Sequence, residues 1–313
     1  MTGQIDIVLN QIVIFAILMA IGFVAVKAKA LTRDTLNALS KLIVLIILPA
    51  LIFSIIAGSG VTLNDFLASG PFAVGVVVCY TLLILSGIIM SRVLGLEGKK
   101  ANIYMSLAAF GNMGFMGIPL LLGIFNDPVV QVSISVYTVI DMTLLWTYGV
   151  YLCSRHQDNT HPLSALKNIA NPTTVALALA FIVMAIKFPV PGLLMNTLSG
   201  IGNTSKYLTL IYIGGVLAFV AVDGILKKPE ILVLTFIKML VLPVLVYLGL
   251  GLFLAQEPRM VLTLIVGLPA MTTIAMIAAN YQSDVEYATE IIFVTHLVSL
   301  ITIPLLFFTT SLF

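Results

Sequence analysis

The sequence predicts an all-α membrane protein of ten transmembrane helices, arranged as two inverted five-helix repeats with helices 4 and 9 broken. Three observations carry this. Of 313 residues, 60% are hydrophobic and 9% charged, with a mean hydropathy of +1.16. A soluble domain carries about 25% charged residues, so this chain has too few to cover a water-facing surface of its size. Apolar runs long enough to cross a bilayer recur along its whole length. Lys and Arg gather in alternate loops. Together these exclude a soluble enzyme, a nucleic-acid binder and a disordered scaffold.

Spans are predicted at 6–27, 36–58, 70–94, 101–125, 128–153, 172–188, 193–222, 229–254, 258–281 and 285–312. Ala28-Lys29-Ala30 after span 1 mimics a signal-peptide cleavage site. Met1 to Asp6, however, has no Lys or Arg, and the apolar run is too long, so span 1 reads as a retained helix. Span 6 is short and is followed at once by Pro189 and Pro191. Cys79 and Cys153 lie in different apolar runs and offer no disulfide or metal-ligand spacing.

Loops after odd-numbered spans carry eleven Lys and Arg, from Lys27 to Lys228, whereas loops after even-numbered spans carry only Lys187 and Arg259. The positive-inside rule then puts both termini outside, in a multi-pass protein of the cell membrane, and the polar loop Ser154–Asn171 in the cytoplasm. That loop makes residues 154–171 a linker between a first repeat, 1–153, and a second, 172–313. Five is odd, so two homologous sets of five must insert with opposite orientation. Leu36-Asn37-Ala38-Leu39-Ser40 opening span 2 has a faint echo in Met195-Asn196-Thr197-Leu198-Ser199 opening span 7.

A helix in lipid must satisfy its own backbone, so Gly and Pro clustered at mid-depth point to backbone lining a cavity. Span 4 holds Gly111-Asn112-Met113-Gly114-Phe115-Met116-Gly117-Ile118-Pro119, and span 9 holds Gly267-Leu268-Pro269-Ala270-Met271-Thr272-Thr273-Ile274. These are the fourth spans of their halves. The bland alternative is close packing on small residues with a proline kink. Two breaks in matching places favour a midplane site, where half-helix N-termini attract an anion and a carboxylate is the natural guest. Gly111, Asn112, Gly114, Pro119, Pro269, Thr272 and Thr273 are the candidate substrate-binding residues.

These segments resemble the auxin efflux carrier family, which includes the plant PIN-type carriers and many bacterial permeases. Asn112-x-x-x-Met116-Gly117-Ile118-Pro119-Leu120 is similar to the family's fourth-helix pattern. Asn171-Pro172, Gly202-Asn203 with Ile213-Gly214, Leu268-Pro269, Ala279-Asn280-Tyr281, Thr295 and Ser299 to Pro304 resemble later helices. The resemblance implies a scaffold of spans 1, 2, 6 and 7, and a mobile transport domain of spans 3–5 and 8–10 in which helices 4 and 9 cross. It implies carriage of small organic anions, with Asn112 on the substrate carboxylate, no cofactor and a homodimer through the scaffold. Plant carriers have a second proline where this chain has Ile274, which places the ninth-helix crossing on Pro269 and the Thr272-Thr273 pair.

Ionisable groups within spans are costly and usually functional. Lys206 either faces the crossing and pairs with a substrate carboxylate, or snorkels at the outer interface. Asp141, mid-span in helix 5, suits a proton-coupling site; the alternative is an Asp held structurally by neighbouring hydroxyls. An offset of 155 residues carries Asp141 onto His296, making a pseudo-symmetric pair for proton coupling, against the alternative of a packing histidine. His156 and His161 read as solvated, and Lys238 as snorkelling to lipid phosphates. Glu230, Asp284 and Glu290 read as interface residues, with Glu290 deep enough to cap a helix or gate the inner mouth, and Asn280 is a candidate gate.

The expectation is a secondary carrier of malate- or malonate-like anions with a proton, or sodium, as coupling ion and lipid as its surroundings. The alternatives are a carrier for aromatic or amino acids, and a ligand-binding membrane sensor. A channel fits a midplane site less well. The motifs of hydrolases and metalloproteases are absent from the sequence.

Overall fold

The computed structural model describes residues 2–58, 63–125, 128–156, 172–219 and 227–312. Most of the linker, residues 157–171, and with it His161, lies outside the described residues. The described chain is helical: α1 Thr2–Lys27, α2 Arg33–Gly58, α3 Gly70–Val93, α4 Gly98–Ala109, α5 Met113–Ile124, α6 128–154, α7 Pro172–Ala185, α8 Gly192–Asn203, α9 Ser205–Leu217, α10 Pro229–Leu250, α11 Gln256–Val266, α12 Thr273–Asn280 and α13 Val285–Leu312. Expected span 4 is therefore α4 plus α5, span 7 is α8 plus α9, and span 9 is α11 plus α12. Among the described residues, five helices are long and apolar enough to cross a membrane: α2, α3, most of α6, α10 and most of α13. Val13–Lys27, Met113–Ile124 and Pro172–Ala185 are shorter apolar helices. The outer face is apolar, with Val24, Leu45, Val77 and Leu248 all more than half exposed, which suits hydrocarbon rather than water.

Local sequence explains the ends and irregularities. A capping box starts α2: the Thr35 N–H donates to Thr32 Oγ1, and the Thr32 N–H donates to Thr35 Oγ1 at 2.7 Å. Wide π-turns occupy Ile43–Ile47, Met113–Gly117, Leu145–Gly149 and Ile237–Val241. Three of them are followed two residues later by a proline: Pro49, Pro119 and Pro243. Proline has no N–H and its ring collides with the carbonyl four residues back. Opening the turn, so that the Leu48, Ile118 and Leu242 N–H groups bond five residues back, shifts the register ahead of the ring and lets each helix continue.

Two packing groups result. In the first, α1 packs on α9, and α2 on α7, α8 and α9. Glycines permit the approach: a Cβ on Gly22 would lie 1.9 Å from the Ile211 carbonyl oxygen, and one on Gly214 would lie 1.9 Å from that of Met19. In the second, α3 packs on α4, α6 and α11, and α13 on α4, α10, α11 and α12. The groups meet along a seam where α9 touches the Met113–Gly117 turn and α13, and where α1 touches α5 and α13.

Candidate functional site

The two Gly/Pro clusters meet. α4 ends at Ala109 and α5 begins at Met113; α11 ends at Val266 and α12 begins at Thr273. Between them Gly111 and Ala270 form an antiparallel β-bridge, in which the Asn112 N–H donates to the Pro269 carbonyl at 2.8 Å and the Met271 N–H to the Phe110 carbonyl at 3.1 Å. Each break frees backbone groups, and each supplies the other's partners. Gly111 suits this close approach, because a Cβ there would lie 3.2 Å from Leu268 Cβ and 3.3 Å from the Ile265 carbonyl, tighter than most Cβ contacts. The Ala270 N–H donates to Thr295 Oγ1 of α13 at 3.1 Å.

Pro269 lies inside its break, as expected. Pro119 does not: the chain breaks at Phe110–Asn112, and Pro119 follows the π-turn within α5. The wide turn absorbs the proline, and the break follows the glycine and the β-bridge instead. The side chains of Pro119 and Asn280 lie outside the described residues.

Asn112 is fully enclosed and is held by His296 of α13, with Asn112 Nδ2 3.0 Å from His296 Nε2. His296 Nδ1 lies 2.7 Å from the Ile292 carbonyl. The Asn112 carbonyl oxygen, Oδ1, has no protein partner, nor has the hydroxyl of Thr272, the residue that precedes α12. Thr273 is buried beside it, and Gly114 faces Leu48 of α2. Across the seam, Ser205 and Thr209 of α9 are buried with hydroxyls that likewise lack protein partners. They stand one helical turn apart on the face that continues to Ile213, and Tyr212, Ile213 and Val216 line a small cleft with Thr272, Ala275, Thr289 and Ile292. Ser205 and Thr209 were readable only as an i, i+4 pair of small hydroxyls, a weak signal.

Asp141 of α6 is fully buried and pairs with neither Asn112 nor His296. Its Oδ1 accepts a hydrogen bond from Tyr80 of α3, whose hydroxyl lies 2.9 Å from that of Tyr137; Oδ2 has no hydrogen-bond partner. Lys238 of α10 is within electrostatic reach of Asp141, and its ammonium donates to the Ala108 carbonyl at 2.8 Å. The snorkelling expected of Lys238 is therefore incorrect, since the residue is 2% exposed. A cation at the C-terminal end of α4 satisfies a carbonyl that the break orphans and complements the helix dipole. The sequence marked Lys238 as a charge in an apolar span, but Ala108 is 130 residues away.

Lys206 sits in the first turn of α9, half-buried, with its ammonium over the rings of Phe15 and Tyr207. The charges at the other end are paired: Lys100 with Glu230 at 2.6 Å, and Lys228 with Glu290 at 2.8 Å. Asp284 caps α13 by accepting the Tyr287 N–H.

No curated protein matches the chain. Residues 7–307 match the family described as "Membrane transport protein". With two bridged helix breaks at the centre of an apolar helical body, and a family match over nearly its whole length, the chain belongs to this family of membrane transporters, that of the auxin efflux carriers.

Proposed function

We propose that this transporter is a secondary carrier of small organic anions of the malate and malonate kind, bound at the bridged breaks. The observation that carries the reading is the set of enclosed polar groups without protein partners at the seam: Asn112 Oδ1 and Thr272 Oγ1 on one side, Ser205 and Thr209 on the other. Buried polar atoms are normally hydrogen-bonded. A group of unsatisfied ones between two packing bodies fits a guest held there. The N-termini of α5 and α12 bring partial positive charge, which favours a carboxylate.

Transport is by alternating access of the elevator kind. The body α3–α6 with α10–α13 carries the anion past α1, α2 and α7–α9. Asp141, with Tyr80 and Lys238, is the coupling site for a proton. The test is uptake of labelled malate and malonate into liposomes, with and without a proton gradient. Saturable uptake that disappears in Asn112→Ala is expected. Uptake unaffected by that change would remove the bridged breaks as the site, and no uptake of either acid would overturn the substrate class.

A further inference from the structure

His296 decides what Asn112 can bind. A backbone carbonyl only accepts, so the 2.7 Å contact with Ile292 puts the ring proton on Nδ1. In the neutral ring Nε2 is then an acceptor, and Asn112 must meet it with its NH2 group. The amide cannot turn over without setting its oxygen against the Nε2 lone pair. Oδ1, enclosed and without a protein donor, is thereby held in one place, and one Nδ2–H is left over.

We propose that His296 is a positioning residue that makes this site selective for α-hydroxy carboxylates over their deoxy counterparts. This rests on the carboxylate-carrier reading above. A primary amide with fixed orientation offers an acceptor and a donor side by side. An α-hydroxy acid offers the complement, a hydroxyl donor beside a carboxylate oxygen, so the two mate in a closed ring of hydrogen bonds. The carboxylate's other oxygen meets the N-terminal end of α12, where Thr272 supplies a further hydroxyl. A deoxy acid leaves Oδ1 buried and unpaired, which is the costly case. An α-ammonium group fits less well. Asn112, His296, Thr272, Ser205 and Thr209 are all uncharged, so none of them compensates a cation taken out of water.

The test is calorimetric binding to the purified full-length protein, using malate against succinate, lactate against propionate, and aspartate. In the wild type the hydroxy acid of a pair binds about tenfold more tightly than its deoxy partner, the loss expected when a buried acceptor goes unpaired. In His296→Gln and His296→Asn, whose amides both donate and accept, the Asn112 amide is free to turn and the ratio collapses towards unity. Equal wild-type affinities within each pair would overturn the selectivity and leave the carrier reading standing. A wild-type preference unchanged in both variants would overturn the role of His296. Tightest binding of aspartate would replace the hydroxyl by an ammonium. No binding of any acid would overturn the carboxylate reading, and this inference with it. The wild-type comparison needs no variant, so poor folding of either one leaves the selectivity testable.

Discussion

At Lys238, one side chain answers two local needs. Its ammonium satisfies the Ala108 carbonyl at the end of α4 and lies within electrostatic reach of Asp141. Removing one member of a buried pair leaves an uncompensated charge, at a cost of about 3 kcal/mol or more. Lys238→Met is therefore expected to lower the melting temperature further than the double variant Lys238→Met/Asp141→Asn, which removes both charges. Thermal melts in one detergent check this; equal losses would mean that the two groups are not coupled. Asp141→Asn alone is expected to leave anion binding in place while abolishing the response of uptake to a proton gradient. Residue identities alone exposed half of this. A lysine and an aspartate in apolar spans stand out in any reading, but their partners do not. Tyr80 and Tyr137 look like ordinary apolar-span tyrosines, and the Asn112–His296 pair joins positions 184 apart.

At the scale of the element, glycine and proline do different jobs, and the sequence does not distinguish them. Pro269 sits in its break, whereas Pro119 sits beyond one, two residues after a π-turn. Composition therefore located the fourth-helix break to within a few residues without saying which residue of the cluster makes it. Pro119→Ala supplies an N–H and removes the reason for the wide turn. The turn is expected to tighten and rotate Asn112, so that uptake falls while the melting temperature is retained. Measuring both on one preparation separates this from simple unfolding. Between α1 and α9 the glycines decide. Gly22→Ala or Gly214→Ala places a methyl group on a backbone carbonyl that cannot step aside. Overpacking of this kind costs about 1–3 kcal/mol, and each variant is expected to melt several degrees lower.

At the scale of the whole molecule, the alternation of charged loops predicts a topology that the packing does not reveal, because helices pack alike whichever way they face. Run length located the helical segments, and three of the runs proved to be pairs of helices. The two packing groups were legible only through family resemblance, since periodicity in an apolar span does not separate a face against lipid from a face against protein. Cys79 and Cys153 are both buried, so labelling can be confined to cysteines introduced for the purpose. A Ser164→Cys variant is expected to react with a membrane-impermeant maleimide in inside-out vesicles and not in intact cells. The reverse pattern would invert the proposed orientation, with both termini inside.

The bridge between Gly111 and Ala270 is made by main-chain atoms. A joint of that kind does not register which side chains flank it, provided the glycine leaves room. Over evolutionary time, residues beside it can be exchanged without dismantling the framework that holds them in place. Inheritance of the architecture and inheritance of the cargo are then separable. Descendants of one ancestor can drift to new nutrients or signals through a few replacements near position 112, while the chain continues to fold in the same way.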